Sequence, residues 1–342
     1  MQWTDDIKDP RGTGSTSRNA TVSPAHASAS ADTTDYILCG WRVRSAVPLP
    51  EAMSWIGDDR SPDVTIRFGS APALFDPVWT GGPVQMGRDG ACSLEFEGIG
   101  RFLVVDGREV IFEPRVHLDT PEVRAWLLGP VLGALSHQRG LFPLHAACIR
   151  IGERAVALSG RTGAGKSTLA AALVRRGHGL VADDICVIEP AEPDGPRVLP
   201  SFPRLKLSEE ALRALDISAH GMARAGFGKY KYHFCQPGGF DPSPVGLRGI
   251  YFLDRSTVPH QQDIRRESGA NAVTMLSKEI YRRQIGFHLG RKVALLEDAL
   301  RVAAMVPAFR VPNQPDLSQL DSVAARIEAH FISLKRDHRE TA

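Results

Sequence analysis

The feature that most constrains this chain is the motif GRTGAGKS at residues 160–167. It fits the pattern G-x-x-x-x-G-K-[ST] of a phosphate-binding P-loop, in which glycines let backbone N–H groups turn toward a phosphate. The apolar run AVALS comes just before the motif, and the helix-forming run STLAAALVRR overlaps its end and continues beyond it. This order matters because the start of the helix adds the positive end of its dipole. The motif therefore predicts an α/β fold built around a nucleoside triphosphate site.

The P-loop pattern assigns nucleotide binding to a continuous run of side chains and backbone groups. The lysine would supply a mobile charge to the β- and γ-phosphates, and the serine hydroxyl would bind Mg²⁺. ATP and Mg²⁺ are thus the expected cofactors. A glycine-rich turn with an incidental lysine is the alternative, which the flanking strand and helix disfavour. The predicted nucleotide-binding residues are Gly160, Arg161, Thr162, Gly163, Ala164, Gly165, Lys166, Ser167 and Thr168.

An acidic pair, Asp183 and Asp184, follows the next apolar run. We interpret LVADDICVIEP as one strand, on which adjacent side chains point to opposite faces. One carboxylate would then face the nucleotide while the other holds Mg²⁺, a water or a neighbouring loop, and we expect Asp183 to be the magnesium ligand. A strand that ends in Asp is typical of the Walker-B element, and a base for a substrate hydroxyl would also be an Asp at this location. A strand end that meets solvent is the alternative.

Residues 144–188 resemble the catalytic core of the HPr kinase/phosphorylase superfamily. Members carry a His-Gly or His-Ala segment, a P-loop and then R-G-H-x-L-V-A-D-D, which RGHGLVADD at residues 176–184 fits at every stated position. The resemblance implies a P-loop domain of the type shared with ATP-dependent phosphoenolpyruvate carboxykinases. It also implies catalytic roles for His145, Lys166 and Asp184, with Asp184 taking the proton of a substrate serine. Without the resemblance, His145 is equally well interpreted as a satisfied histidine at a strand start.

The run YILCGWRVRSAVPLPE is similar to the opening of HPr kinase-related proteins from bacterial gene clusters for ribosomal peptides. Some of these phosphorylate a serine of lasso peptide precursors. The resemblance thus implies an ATP-dependent serine kinase whose partner is a peptide or protein, and a lasso precursor is the sharpest substrate hypothesis. A nucleotide-binding regulatory protein without transfer activity and a small-molecule kinase are the alternatives.

The chain also departs from the bifunctional members of that superfamily. Those enzymes place an acidic residue before an R-G-L-G-like signature; here the nearest text is GLRGI at residues 246–250, with no acid before its arginine. The other candidate for this region is PRLKL at residues 203–207. Their later basic loop, used with phosphate, has no counterpart. We therefore expect kinase activity rather than phosphorolysis.

Composition divides the chain into three regions. Residues 1–35 are rich in Ser, Thr, Ala, Asp and Gly and predict a disordered tail. Short alternating runs over residues 36–135 predict a β-rich N-terminal domain with a linker helix, and residues 136–342 form the predicted kinase domain. Within the latter, NAVTMLSKEIYRRQ predicts one helix. AGFGKYKYHF, at residues 225–234, predicts a flexible basic loop that either closes over the transferring phosphoryl group or stays solvated.

Charge and cysteine content narrow the partners and the compartment. The net charge of +2, from 41 basic and 39 acidic residues, gives no reason to expect nucleic acid or an anionic membrane as a partner. No apolar run is long enough to span a bilayer. The 5 cysteines form no C-x-x-C pair, which disfavours zinc and a disulfide framework and favours a reducing cytoplasm. Homo-oligomerisation stays open.

Overall fold

The computed structural model describes residues 32–116, 120–191, 193–225, 231–235, 240–254, 263–312 and 317–334. Residues 1–31 of the predicted tail lie outside this range, as do residues 226–230 of the predicted basic loop. The last two residues of the predicted tail, Thr34 and Asp35, already belong to the first strand. The tail prediction is therefore wrong at that end.

The N-terminal part of the described chain forms one sheet of nine strands, in the order β3-β1-β2-β4-β9-β8-β7-β6-β5. Pairing is antiparallel except for β2 with β4 and β4 with β9. Residues 106–108 turn β8 into β9, and Asp106 and Gly107 have φ values of 51° and 65°, the left-handed pair of a type I′ turn closed by the Arg108 N–H on the carbonyl of Val105. The strands are β1 Thr34–Leu38, β2 Trp41–Ser45, β3 Met53–Ser54, β4 Val64–Phe68, β5 Trp79–Gly81, β6 Val84–Met86, β7 Cys92–Phe96, β8 Gly100–Val105 and β9 Glu109–Pro114.

A continuous helical segment joins this sheet to the rest of the chain. It consists of α1 (Pro121–Trp126), a π-helical turn (Leu127–Val131) that contains Pro130, and α2 (Leu132–Gln138). The apolar core of the N-terminal sheet includes this segment and also Val187 and Leu199 from the second sheet. The two sheets are therefore held by a shared core, and the predicted boundary between residues 135 and 136 falls inside α2.

The second sheet of the described chain has the order β10-β14-β15-β18-β12-β11-β13, with β20 on β18 and β19 on β20. A separate two-stranded ribbon pairs β16 with β17. The strands are β10 Phe142–Leu144, β11 Ala146–Ile151, β12 Arg154–Ser159, β13 Gly179–Ala182, β14 Cys186–Glu189, β15 Arg197–Leu199, β16 Arg204–Ser208, β17 Lys231–Cys235, β18 Val245–Asp254, β19 Arg265–Arg266 and β20 Ala308–Pro312. The helices are α3 Lys166–Arg175, α4 Glu209–Ala214, α5 Gly269–Lys278, α6 Arg283–His288, α7 Lys292–Met305 and α8 Leu320–Ser333, the last preceded by a 3-10 turn, Leu317–Gln319.

Helices cover both faces of this sheet, which explains why β12 is apolar at successive positions. Val156 and Leu158 lie in the core that contains α3 and α8, whereas Ala155 and Ala157 lie in the core that contains α5 and α7. A strand buried on both faces has no solvent side on which a polar residue would be favoured. The P-loop therefore starts from a rigid support. No helix in the described ranges combines the length and apolarity needed to cross a bilayer.

Three local predictions are wrong. LVADDICVIEP is two strands, β13 and β14, with the acidic pair in the bend between them. NAVTMLSKEIYRRQ is broken between α5 and α6, because Tyr281 donates its backbone N–H to Pro143 and Ile280 bridges Leu144. The end of the predicted basic loop is the strand β17, which pairs with β16.

Candidate active site

The P-loop follows β12 and leads into α3, and its glycines adopt backbone conformations that side chains disfavour. Gly160, Gly163 and Gly165 have φ values of 139°, 82° and 90°. A Cβ at Gly160 would lie 2.8 Å from the carbonyl oxygen of Leu253, so this position also has no room for a side chain. These residues let the backbone curl tightly between the buried strand and the helix.

Lys166 is the buried cation of the loop. Only 7% of it is exposed, and its Nζ donates to the carbonyl oxygens of Gly160 at 2.6 Å and Arg161 at 3.4 Å. Burial lowers the pKa of Lys166, while Asp184, Glu279 and Asp183 act in the opposite direction. The lysine is thus positioned by the loop itself and surrounded by three carboxylates.

The other predicted nucleotide-binding residues divide by exposure. Arg161, Thr162 and Gly163 are exposed, and Thr168 is half-buried in the first turn of α3. Ala164 is buried in the core beside α3, where its N–H bonds the carbonyl of Arg161. The tip of the loop therefore faces solvent while its base is anchored in the core.

Ser167 and Asp183, the two predicted magnesium ligands, are in direct contact. The hydroxyl of Ser167 donates to Oδ1 of Asp183 at 2.8 Å, and the backbone N–H of Lys206 donates to Oδ2 at 3.0 Å. Burial raises the pKa of Asp183, and the hydrogen bonds from Lys206 and Ser167 partly offset this. A hydroxyl and a carboxylate oxygen at one point are ligands of the hard type that Mg²⁺ prefers, so these residues fit that ion.

Asp184 faces a different set of partners from its neighbour. Its φ is 73°, so the bend itself, rather than strand alternation, sends the two carboxylates in different directions. Its oxygens lie 3.5 Å from Nε2 of His145 and 3.5 Å from Nζ of Lys206. Burial would raise the pKa of Asp184, but Lys206, His145 and Lys166 outweigh it and hold that pKa well below its ordinary value. Asp184 is therefore an ionised carboxylate at neutral pH.

His145 sits between the two halves of the site. Its backbone N–H donates to the carbonyl of Glu279 at 2.8 Å, and its carbonyl accepts from the hydroxyl of Ser159 at 3.1 Å. Its ring nitrogens lie 3.5 Å from Asp184 and 3.9 Å from the Glu279 carboxylate. The structure thus brings His145, Lys166 and Asp184 together, although 39 positions separate the first from the last.

Sequence reasoning missed two members of this cluster, Lys206 and Glu279. Lys206 lies in PRLKL, where the sequence suggests a metal-binding region but gives no sign of a lysine that contacts the acidic pair. The sequence around Glu279 gives no sign of a functional residue, because it is typical of the polar end of an amphipathic helix. Only the break after α5 directs Glu279 to the site. GLRGI, by contrast, lies within β18, where Arg248 bonds the carbonyl of Leu334 near the end of α8.

Comparison with known proteins finds likeness centred on this region. Residues 140–198 match the family model described as the HPr Serine kinase C-terminal domain. The HPr kinase/phosphorylase of Pelodictyon phaeoclathratiforme (strain DSM 5477 / BU-1) is 46% identical over 59 residues, which are 17% of this chain and 18% of that protein. The chain therefore matches less than a fifth of the length of this relative. The Hpr(Ser) kinase/phosphatase structure from Coxiella burnetii shares 15% identity, with a TM-score of 0.32, over 58% of this chain and 96% of that one.

Proposed function

We propose that this chain is an ATP-dependent kinase of the HPr kinase superfamily that phosphorylates a serine of a peptide or protein, and the match of residues 140–198 to the HPr Serine kinase C-terminal domain supports this proposal. The observation that carries this proposal is the arrangement around Asp184. An ionised carboxylate lies beside His145 and Lys206, next to the contact between Ser167 and Asp183 at the start of the P-loop helix. This is the combination that phosphoryl transfer needs: groups for the triphosphate and, adjacent to them, an acceptor for the substrate hydroxyl.

The P-loop side of the site would hold the donor. Backbone N–H groups of the loop and the Nζ of Lys166 would bind the phosphates, the lysine exchanging its bonds to loop carbonyls for phosphate oxygens. Ser167 and Asp183 would hold Mg²⁺, which when bound neutralises charge on the β- and γ-phosphates. The side chains of Lys166, Ser167 and Asp183 are held by contacts within the described chain, so little ordering of these side chains would accompany nucleotide binding.

Asp184 would act chiefly by orienting the substrate hydroxyl. A carboxylate whose pKa is well below its ordinary value is a weak base, since catalytic proton acceptors work best with a pKa near the operating pH. Phosphoryl transfer nevertheless passes through a loose transition state that needs little early proton removal. Asp184 can accept a hydrogen bond from the serine hydroxyl, align its oxygen and take the proton late in the step.

The sharper substrate hypothesis is a lasso peptide precursor. It is supported by the resemblance of YILCGWRVRSAVPLPE, at residues 36–51, to kinases that act on such precursors. This segment contains most of β1 and all of β2, and Glu51 at its end bonds Arg204 of the ribbon beside the site. The reaction would take place in the cytoplasm, in keeping with five cysteines that are all free.

The test is a transfer assay with MgATP and serine-bearing peptides, read by mass spectrometry of phosphoserine. We expect the wild-type protein to produce phosphoserine and Lys166→Ala to produce none, because the variant lacks the cation for the transferring phosphate. Lys292→Ala, which removes an exposed lysine of α7, is the control and should behave as wild type. Nucleotide binding without any phosphoserine would refute the kinase proposal and favour a nucleotide-binding regulatory protein.

A further inference from the structure

The ribbon formed by β16 and β17 presents a basic face beside the active site. Lys206 lies opposite His233, and Arg204 lies opposite Cys235. Because side chains alternate along a strand, these four share one face of the ribbon. The other face carries Leu205 and its neighbours into the core around α3. The basic face is directed at the site, since the Nζ of Lys206 lies 3.5 Å from Asp184.

Arg204 is buried at the end of this face with half of its guanidinium unused. The residue is 2% exposed, and its Nη1 donates to Oε1 of Glu51 at 2.8 Å. Its Nε and Nη2 are buried and make no hydrogen bond to any described residue. These two donors form one edge of the planar guanidinium, the fork that binds both oxygens of a carboxylate. A buried donor without a partner is costly, so two on one edge point to a bound group.

The charges around Arg204 favour an anion. Arg124 donates to the same Oε1 of Glu51 at 2.9 Å, so Arg204 shares its carboxylate partner with a second guanidinium group. His233 carries no negative charge, and both of its ring nitrogens are buried without a hydrogen-bond partner among the described residues. Burial is the largest cause that lowers the pKa of His233 to about 3, and the positive charges of Arg204, Lys206 and Arg124 act in the same direction. The His233 ring is therefore neutral. The two-donor edge of Arg204 matches the two oxygens of a carboxylate.

Position along the ribbon assigns this anion to the acceptor rather than to the nucleotide. Lys231 pairs with Ser208 at one end of the ribbon, and the charge of Lys231 acts on Lys166 of the P-loop. Lys206 comes next, beside Asp184, and Arg204 is farthest from the loop. Two residues along a strand correspond to about 7 Å, which is also two residues of an extended peptide. Cys235, opposite Arg204, is exposed, so this end of the face reaches the surface.

We infer that the free edge of Arg204 binds a carboxylate of the acceptor, supplied by an acidic residue within two positions of the phosphorylated serine. This inference rests on the proposed kinase function and adds a substrate class to it. Arg204 would contribute to specificity through binding, because it lies beyond Asp184 and does not touch the groups that hold the donor. Its loss should therefore appear in KM rather than in kcat.

The experiment uses the full chain, MgATP and a peptide library with one fixed serine and randomised neighbours. Phosphorylated products are sequenced, and a matched pair with Asp or Asn at the selected position is then compared kinetically. We expect Asp or Glu to be selected within two positions of serine, with kcat/KM about 10- to 100-fold higher for the Asp peptide than for its Asn counterpart, as a charge-assisted hydrogen-bond pair provides. The wild-type comparison stands without any variant.

Arg204→Lys keeps the charge but lacks the two-donor edge. The variant should have a higher KM for the Asp peptide, so that kcat/KM is the same for the Asp and Asn peptides, with kcat little changed. Arg213→Lys, on the exposed surface of α4, is the matched control, and thermal unfolding establishes that both variants fold. Phosphoserine formed without an acidic preference, or a preference that survives in folded Arg204→Lys, would overturn the inference alone. Failure of the wild-type protein to phosphorylate any library peptide would overturn the proposed function and this inference with it.

Discussion

Replacing Asp184 with asparagine removes the charge of this side chain and keeps the backbone conformation of the bend. The residue has a φ of 73°, a left-handed conformation that asparagine tolerates, so the bend between β13 and β14 should persist. The side chain is 36% exposed, and ion pairs of this kind contribute about 0–1 kcal/mol to stability. The substrate hydroxyl, by contrast, would lose its only proposed proton acceptor. We expect kcat to fall by about 10²–10⁴-fold, or roughly 3–5 kcal/mol in activation free energy.

The assay compares kcat for phosphoserine formation, MgATP affinity by calorimetry and thermal unfolding. Asp216→Asn is the matched control, since Asp216 also has positive φ, 52°, and is exposed away from the site. Asp184→Asn should bind MgATP as the wild type does, because Ser167, Asp183 and Lys166 are unchanged. Near-normal transfer by Asp184→Asn would refute the role of Asp184. A loss of MgATP affinity as large as the loss of kcat would show instead that Asp184 serves nucleotide binding.

Four further predictions follow from single contacts. Gly160→Ala should abolish ATP binding and destabilise the fold by about 1–3 kcal/mol, whereas Gly177→Ala, with open space around it, should bind ATP normally; calorimetry and thermal unfolding compare them. Glu279→Gln, which keeps the backbone bond to His145, should lower kcat by about 10-fold, and a loss as large as that of Asp184→Asn would contradict this. A chain that begins at residue 36 should be less stable than one that begins at residue 32, because it lacks Asp35. The pKa of Asp35 is lowered from 3.8 to about 2 by the hydrogen bond from Arg44, against burial and with help from Arg42. Asp35→Asn should therefore cost about 1–2 kcal/mol above pH 4, and this difference should vanish as the pH falls through 2; a difference independent of pH would contradict it.

The parts of the site that sequence predicts well are those specified by neighbouring residues. The P-loop could be placed because a buried strand, three glycines and a helix start all lie within residues 154–175. The parts that escaped prediction depend on distant segments. Glu279 reaches His145 only because the chain between α5 and α6 leaves the helix to pair with β10. His233 and Cys235 join the face of Lys206 and Arg204 only because β17 pairs with β16.

The bend at the acidic pair shows why a local pattern predicted the right residues on the wrong element. Leu144 pairs with Cys186, and Cys148 pairs with Ala182, in the same antiparallel register. The two pairs lie on either side of His145 and of the Asp183–Asp184 bend. Both strands of one ladder are thus interrupted at the same level, where β10 passes into β11 and β13 into β14. An apolar run with two acids in its middle looks like one strand, because the partner strand that is interrupted with it lies 34 to 42 residues earlier in the sequence. The paired interruption removes ladder hydrogen bonds from both strands at once, and the freed segments bring His145 to 3.5 Å from Asp184, so the break in the sheet is what assembles the catalytic groups.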